Sequence, residues 1–445
     1  MLSPLAEELN RRIELENPHL LETLSKMGKA LYYPKGILTQ TAEAKEKAHR
    51  YDATIGIARS KGKPIFLESV YSSFRDMSPG DLFPYAPSFG IKELREIWKE
   101  KILRDNPSLK GKDISLPLVT SGITHGLTLS GDLFLDPGDT VLVPDKVWGN
   151  YLLIYGIRFG AHVIRYPLLT REGRLDIQGF KQTVDDHASK GKLFILLNFP
   201  NNPTGYSPTA LEAQSLSDCL IRTAEQGCNI VVVSDDSYFG LFYDETAHKE
   251  SIFSSLAESH PRMISVKLDG ATKEHFVWGF RTGFITYATR ALHDSDAMYE
   301  IMEKKTAGAI RGAISNCSLP SQSILLKAMR NGNFESERTG AVSVLKERAM
   351  EVRRVLAQVK FEKVWEPYPF NSGYFMCVRL KSLNAEEFRQ TLLNRYGVGV
   401  ISTSDTDIRV AFSSLESSNI EDCFEIMYDC AMEMQEAKGT VEAHG

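Results

Sequence analysis

Lys273 and Arg281, eight residues apart in ATKEHFVWGFRTG, form the pair whose types and spacing point most directly to chemistry. A lysine amine that attacks a carbonyl forms a Schiff base. To act as nucleophile and then as base it must lose its proton readily, and a cationic neighbour such as Arg281 favours that loss. The Arg281 guanidinium is also a planar fork of donors suited to a phosphate. NNPTG (201–205) and DDSY (235–238) lie upstream, and Arg409 lies downstream inside the apolar run IRVAFSS. A buried arginine requires an anionic partner: a structural Asp or Glu, or a substrate carboxylate held bidentately.

Other segments complete the set. SGITHGLTLSGDLF (121–134) leaves a strand and enters a helix. Ser121, Gly122, Ile123 and Thr124 would hold an anion there, the middle two through backbone N–H groups. Trp148 in VWGNY follows an apolar run, so its indole would lie at the carboxyl end of a strand, positioned to stack on a flat heterocycle. Asn202 would donate a side-chain N–H to a phenolate oxygen, in a turn set by Pro203 and Gly205. A carboxylate in DDSY would keep a pyridine nitrogen protonated and make the ring an electron sink. Asp235 takes this role over Asp236 because it puts Tyr238 three residues on, where the phenol would bond the ring's O3′. These segments could supply all of these contacts if the heterocycle is pyridoxal 5′-phosphate (PLP). Each motif alone also reads as a turn, a core aromatic, a capping acid or a solvated lysine. Their order and spacing carry the inference.

The elements that must position these residues follow from the apolar pattern. TVLVPD (140–145), HVIRYPL (162–168), LFILLN (193–198), NIVVVSDD (229–236), MISVKLDG (263–270) and GFITYA (283–288) predict strands buried on both faces. Helices are predicted over 175–190 and 209–226, the second starting at Pro208-Thr209 and ending at Gly227. Alternating strands and helices imply an α/β fold with a mostly parallel central sheet. Beyond about residue 318 the pattern changes to helices at 318–332, 336–358 and 416–437, with strands in SGYFMCVRL (372–380) and IRVAFSS (408–414). This predicts a smaller α+β domain over 318–445, joined by an N-terminal segment 1–70 that carries its own strand, ATIGIA (53–58). The large domain then spans 71–317. The last residues, EAKGTVEAHG, read as a frayed end.

Composition narrows the function class. The 445 residues are 42% hydrophobic and 24% charged with a formal net charge of −5, which offers no basic excess for nucleic acid. The six cysteines show no CxxC pair and no metal-ligand spacing, so they read as reduced thiols of a cytoplasmic protein with no metal. MLSPLAEELNRRIELENP has charges where a signal peptide needs an apolar run, and no run is long enough to span a bilayer.

Together these motifs resemble the fold-type I, class I/II PLP-dependent aminotransferases, the family of the aspartate and aromatic enzymes, over residues 53–414. The resemblance implies a large PLP-binding domain and a smaller domain. Lys273 would be both Schiff-base carrier and proton shuttle, Asp235 would hold the ring nitrogen, and Ser121, Gly122, Ile123, Thr124, Thr272 and Arg281 would surround the phosphate. Ile55, Gly56 and Ile57 would edge the substrate pocket. FPYAPSFGIKELR resembles the segment whose tyrosine, here Tyr85, reaches the phosphate in the neighbouring subunit. FNSGYF (370–375) resembles a small-domain strand, and Arg409 falls on the arginine for the substrate's α-carboxylate. IRGAISNCS (310–318) resembles a segment in which Arg311 would cross a dimer interface to a dicarboxylate side chain, with Ser315 near the partner's phosphate. The departure is Gly270, where the family carries a phosphate-binding serine; Thr272 or the backbone would compensate. A homodimer acting on an amino acid and a 2-oxo acid, dicarboxylic or aromatic, is therefore expected. The same motifs also serve C–S lyases and aminocyclopropane-carboxylate synthase-like enzymes. A non-catalytic ligand sensor of this fold would carry a DNA-binding domain, and some fifty residues before ATIGIA are too few for one.

Overall fold

The computed structural model describes residues 2–33 and 36–442. Its central sheet has seven strands: β1 (Leu118–Thr120), β2 (Thr140–Pro144), β3 (His162–Tyr166), β4 (Lys192–Asn198), β5 (Asn229–Asp235), β6 (Met263–Gly270) and β7 (Gly283–Thr289). Their spatial order is β1-β7-β6-β5-β4-β2-β3. Only β7 runs antiparallel to its neighbours, and every other pair is parallel. Apart from their first residues, β4 and β5 are wholly buried, as their valine- and leucine-rich runs require in a sheet covered on both faces.

Alternation along these strands assigns residues to faces. Ile230 and Val232 pack into one core with Leu193, Ile195 and Leu197. Val231 and Val233 pack into the opposite core, with Phe194, Leu196 and Ile123 of the helix Gly122–Phe134. Asp235 has the parity of Val231 and Val233, so its side chain faces that helix side. The helices between strands form where caps permit. Thr209 and Glu212 form a capping box ahead of Ala210–Glu225, and Gly227, at φ +104°, accepts the left-handed turn beyond its end.

A second, antiparallel sheet contains β8 (Trp365–Pro367), β9 (Met376–Leu380), β10 (Ile401–Ser402) and β11 (Asp407–Val410), in the order β8-β9-β11-β10. Long helices, Phe334–Leu356 and Ser417–Glu442, pair beside it. Tyr51–Asp52 adds a short parallel pairing to Val398–Gly399. The expected strand over 53–58 does not form. The Thr54 N–H bonds the Asp52 carboxylate instead of a neighbouring strand, and the chain then runs on as a loop over the site. SGYFMCVRL becomes a strand only from Met376, because Gly373 at φ +74° turns the chain just before it. The tail read as frayed is helical as far as Glu442, and 443–445 lie outside the described residues. No helix among the described residues is long and apolar enough to cross a membrane.

Candidate active site

The carboxyl ends of the parallel strands deliver the site, as expected for open α/β sheets. Trp148 follows β2, Asn198 and Asn202 close β4, Asp235 ends β5, and Lys273 sits in the short helix Ala271–Glu274 after β6. With Tyr151, Ser237 and Tyr238 they line one cavity of about 90 Å³.

Lys273 has its Nζ 5.0 Å from the centre of the Tyr238 ring. Burial strips its ammonium of water and lowers its pKa to about 8; Asp235 opposes this, and Arg281 pushes the same way as burial. The Tyr374 hydroxyl donates to the Lys273 carbonyl at 2.8 Å, fixing the turn that carries the amine.

Asp235 is 1% exposed and collects donors on both oxygens. Tyr151 donates its hydroxyl to Oδ2, while the Ser237 N–H (3.1 Å) and hydroxyl (2.5 Å) donate to Oδ1. Burial and the neighbouring Asp235 charge hold the Tyr151 pKa well above its ordinary value, so the phenol remains a donor. Asp236 faces away, bonded to Lys267 and to the Ser251 hydroxyl at 2.6 Å. Tyr151, Asn198 and Ser237 are the lining residues that sequence reasoning passed over. Tyr151 was legible as the aromatic three residues after Trp148, and the two rings meet edge to face with centroids 5.5 Å apart. Removing the phenol in Tyr151→Phe leaves a buried carboxylate short of a donor and is expected to cost about 1–3 kcal/mol of stability. Denaturant unfolding measures this, and unchanged stability would dissociate Tyr151 from Asp235.

The phosphate candidates meet at the start of the helix Gly122–Phe134. Gly122 has φ +71°, and a Cβ there would lie 2.4 Å from Arg281 Nη2, so the guanidinium rests directly against the helix N-terminus. Arg281 makes only a 3.5 Å contact to the Trp278 carbonyl and has no acidic partner among the described residues. The N–H groups of Gly122 and Ile123, in the helix's first turn, have no intrahelical acceptor. The Ser121 N–H is taken by His125 Nδ1 at 3.1 Å, which leaves its hydroxyl for a ligand. Burial, with Arg158 nearby, pushes His125 down to about 4, so it is neutral and can accept that bond. Thr272 is buried one residue before Lys273.

Gly270 is extended on β6 opposite Gly283, and a Cβ there would come within 2.8 Å of the Gly283 Cα and the Thr282 carbonyl. A serine has no room there. Gly270→Ser is expected to destabilise the protein by about 1–3 kcal/mol through forced strand separation. Thermal melting and cofactor titration measure this, and tighter cofactor binding at unchanged stability would contradict it.

The expected substrate side is built around Arg409. It is 2% exposed, with Nη1 donating to Asn202 Oδ1 at 3.1 Å and Nη2 to the Thr54 carbonyl at 2.9 Å. Its guanidinium lies over the Phe375 ring at 4.0 Å, its Nε is unpartnered, and no carboxylate pairs with it among the described residues. Burial alone lowers its pKa. Since Asn202 Oδ1 accepts from Arg409, its Nδ2 remains as a donor to the cavity. Gly56 lies against this wall: a Cβ there would approach Phe375 Cζ at 3.2 Å and the Tyr238 hydroxyl at 3.8 Å. Ile55 and Ile57 flank it, half-buried. Tyr85 and Arg311 are not brought to this cavity within one chain. Tyr85 is 90% exposed, and Arg311, also exposed, donates to the Ser315 hydroxyl at 2.6 Å.

The residues fit PLP: a depressed lysine, a buried oriented carboxylate, a free amide donor, a half-buried indole, and a glycine–arginine cradle that any Cβ at 122 would fill. Fold and site define a fold-type I PLP-dependent enzyme. The sequence model for aminotransferase class I and II matches residues 58–426, and the chain belongs to this family of PLP-dependent transferases. It is 28% identical over 319 residues to a probable aspartate/prephenate aminotransferase of Aquifex aeolicus, covering 70% of this chain and 76% of that protein. It is also 28% identical over 258 residues to the aspartate aminotransferase of Bacillus subtilis, covering 56% of this chain and 60% of the relative. The fold matches that of an aminotransferase from Anaerococcus prevotii with a TM-score of 0.81 at 23% identity, over 92% of this chain and 99% of the other.

Proposed function

We propose that this protein transfers the amino group of an L-amino acid to a 2-oxo acid by a ping-pong mechanism, with dicarboxylic substrates of the aspartate and glutamate type preferred over aromatic ones. The observation that carries the reading is Arg409: a buried cation beside Asn202, facing Phe375 and lacking an acidic partner among the described residues. A substrate α-carboxylate would supply the missing anion bidentately. PLP, when bound, supplies the carbonyl and the electron-withdrawing ring that stabilise a carbanion at the substrate Cα. Lys273 would anchor the cofactor through its amine and, once freed, would take the substrate Cα proton on Nζ and later return it. Asp235, held by Tyr151 and Ser237, would keep a proton on the ring nitrogen, and Tyr238 and Asn202 would donate to the ring oxygen. The charges are in place before reaction, which is a large source of rate enhancement.

The preference for dicarboxylic donors draws on Arg311 and on the aspartate-named relatives. Arg311 and Tyr85 would act across a homodimer interface. Phe83, 82% accessible and two residues before Tyr85, supports a covered surface there. Steady-state kinetics with aspartate, glutamate, phenylalanine and 2-oxoglutarate tests the reading. Parallel double-reciprocal lines are expected. Arg311→Ala should lower kcat/KM for aspartate by about 10²-fold while changing that for phenylalanine little. Equal losses on both substrates would remove Arg311 from the side-chain pocket. Ammonia release without amino transfer to a 2-oxo acid would replace the transferase reading with a lyase.

A further inference from the structure

Behind the cavity, on the far side from Asp235, lies a buried ionic cluster that the reaction does not use. Two segments carry the catalytic groups: the loop 235–240 with Asp235 and Tyr238, and the turn 269–274 with Lys273. Each turns every remaining charged residue backwards. Asp236 leaves the first, and Asp269 and Glu274 leave the second; all three are under 5% exposed. Two buried lysines meet them. Lys267 binds Asp236 and lies 3.4 Å from Asp269, whose other oxygen accepts from Trp98 Nε1 at 3.0 Å. Lys101 binds Glu274 at 2.9 Å and Asp105 at 2.8 Å. Both ammonium groups rest on the same ring, Phe239 of the first segment, at 4.3 Å for Lys267 and 5.6 Å for Lys101. Glu274 also abuts that segment: a Cβ at Gly240 would lie 2.5 Å from its Oε1.

We propose that Lys267 and Lys101 are positioning residues that lock the Asp235–Tyr238 loop to the Lys273 turn and so set the placement of the amine against the carboxylate. Lys267 joins the acid next to Asp235 to the acid ahead of Gly270. Lys101 holds the acid next to Lys273, and Phe239 ties the two lysines together. Two ion pairs this deep are costly to desolvate and are weak evidence for stability alone, since apolar replacements often serve as well. What they supply is a fixed geometry between two loops. Reacting groups misplaced by about 1 Å lose on the order of 10²-fold in rate.

The inference rests on the roles proposed for Lys273 and Asp235, so the test begins by separating the two. Loss of the borohydride-reducible cofactor linkage in Lys273→Ala establishes the site; its retention removes the site reading, and this inference with it. Lys267→Met combined with Asp236→Asn then dissolves one lock while leaving the formal charge of the Lys267–Asp236–Asp269 triad unchanged. In the PLP-loaded protein the pH midpoint of the visible absorption band should move by about half a unit or more. The value of kcat should fall by about tenfold or more with KM nearly constant. A purely structural cluster would change the melting temperature and leave midpoint and kcat at wild-type values, and that result overturns the proposal. If the double variant does not fold, Phe239→Leu, which removes only the shared ring, is read by the same two quantities with the same outcomes.

Discussion

Lys273→Ala is expected to abolish turnover and to leave the PLP-loaded protein with no linkage that borohydride can reduce. The expectation follows from position and charge. Among the described residues Lys273 alone supplies an amine to the cavity lined by Asp235, Tyr238 and Asn202, and burial has brought its pKa to about 8, low enough for it to exchange protons near neutral pH. No other group lining that cavity both attaches to a carbonyl and moves a proton at the substrate Cα. The same shift makes a stability prediction with a definite sign. The folded-state pKa, about 8, lies below the ordinary 10.5. Between these values the unfolded chain binds more protons, so the stability of the cofactor-free protein rises with pH across that window. Below pH 8 the burial penalty is fully present. Lys273→Met removes it, at most about 3 kcal/mol. The variant should therefore melt higher than the parent at pH 7, with the gain shrinking as the pH rises towards 10.5. Melting curves of cofactor-free protein at pH 7, 9 and about 10.5 decide it. Full activity in Lys273→Ala, or a gain for Lys273→Met that does not change with pH, contradicts the assignment.

Arg409→Met is expected to lower kcat/KM by about 10²–10⁴-fold, the loss that follows when one partner of a buried charge pair is removed. It does so with little change in the melting temperature of the cofactor-free protein. Two terms oppose each other there. Asn202 Oδ1 and the Thr54 carbonyl each lose a donor, which destabilises. A buried cation without an acidic partner among the described residues is also removed, which stabilises. A structural arginine behaves differently. Arg348, buried and bonded to the Ser413 carbonyl and to Glu416, should lose several kcal/mol when truncated, about 3–5 for a broken buried pair. Arg409→Met that melts like a disrupted ion pair and retains activity would return Arg409 to a structural role.

Much of this arrangement is written locally. The six apolar runs became strands because a sheet covered on both faces needs little beyond a run of branched and apolar side chains, but His162–Tyr166, at the sheet edge, is buried only at Tyr166 instead of on both faces. The ends of those runs then located Trp148, Asn202, Asp235 and Lys273 together. Strand parity explains why Asp235 and Asp236 diverge: Val231 and Val233 share the face of Asp235, and Asp236 continues the other. Other features depend on distant contacts. ATIGIA has strand composition, yet the Asp52 side chain captures the Thr54 N–H that a strand would have used. Gly270 looked like a missing phosphate ligand, but its absent side chain is required by Gly283 across the β6–β7 pair. Tyr151 lies three residues past Trp148, yet its bond to Asp235 joins residues 84 apart. No local pattern shows that Arg409 lacks an acid, because that is a property of everything packed around it. Lys267 and Lys101 were equally illegible: one lies in the apolar run MISVKLDG and the other in the charged segment REIWKEKILRD, and their partners Asp236 and Glu274 come from other elements.

The central claim is that this site moves an amino group. It is tested most directly by the absorption spectrum of the PLP-loaded protein, titrated with single L-amino acids in the absence of any 2-oxo acid. Stoichiometric conversion of the visible band to that of the aminated cofactor, driven by aspartate or glutamate and reversed by a 2-oxo acid, is the predicted result. A visible band that persists through every addition while ammonia accumulates would contradict it.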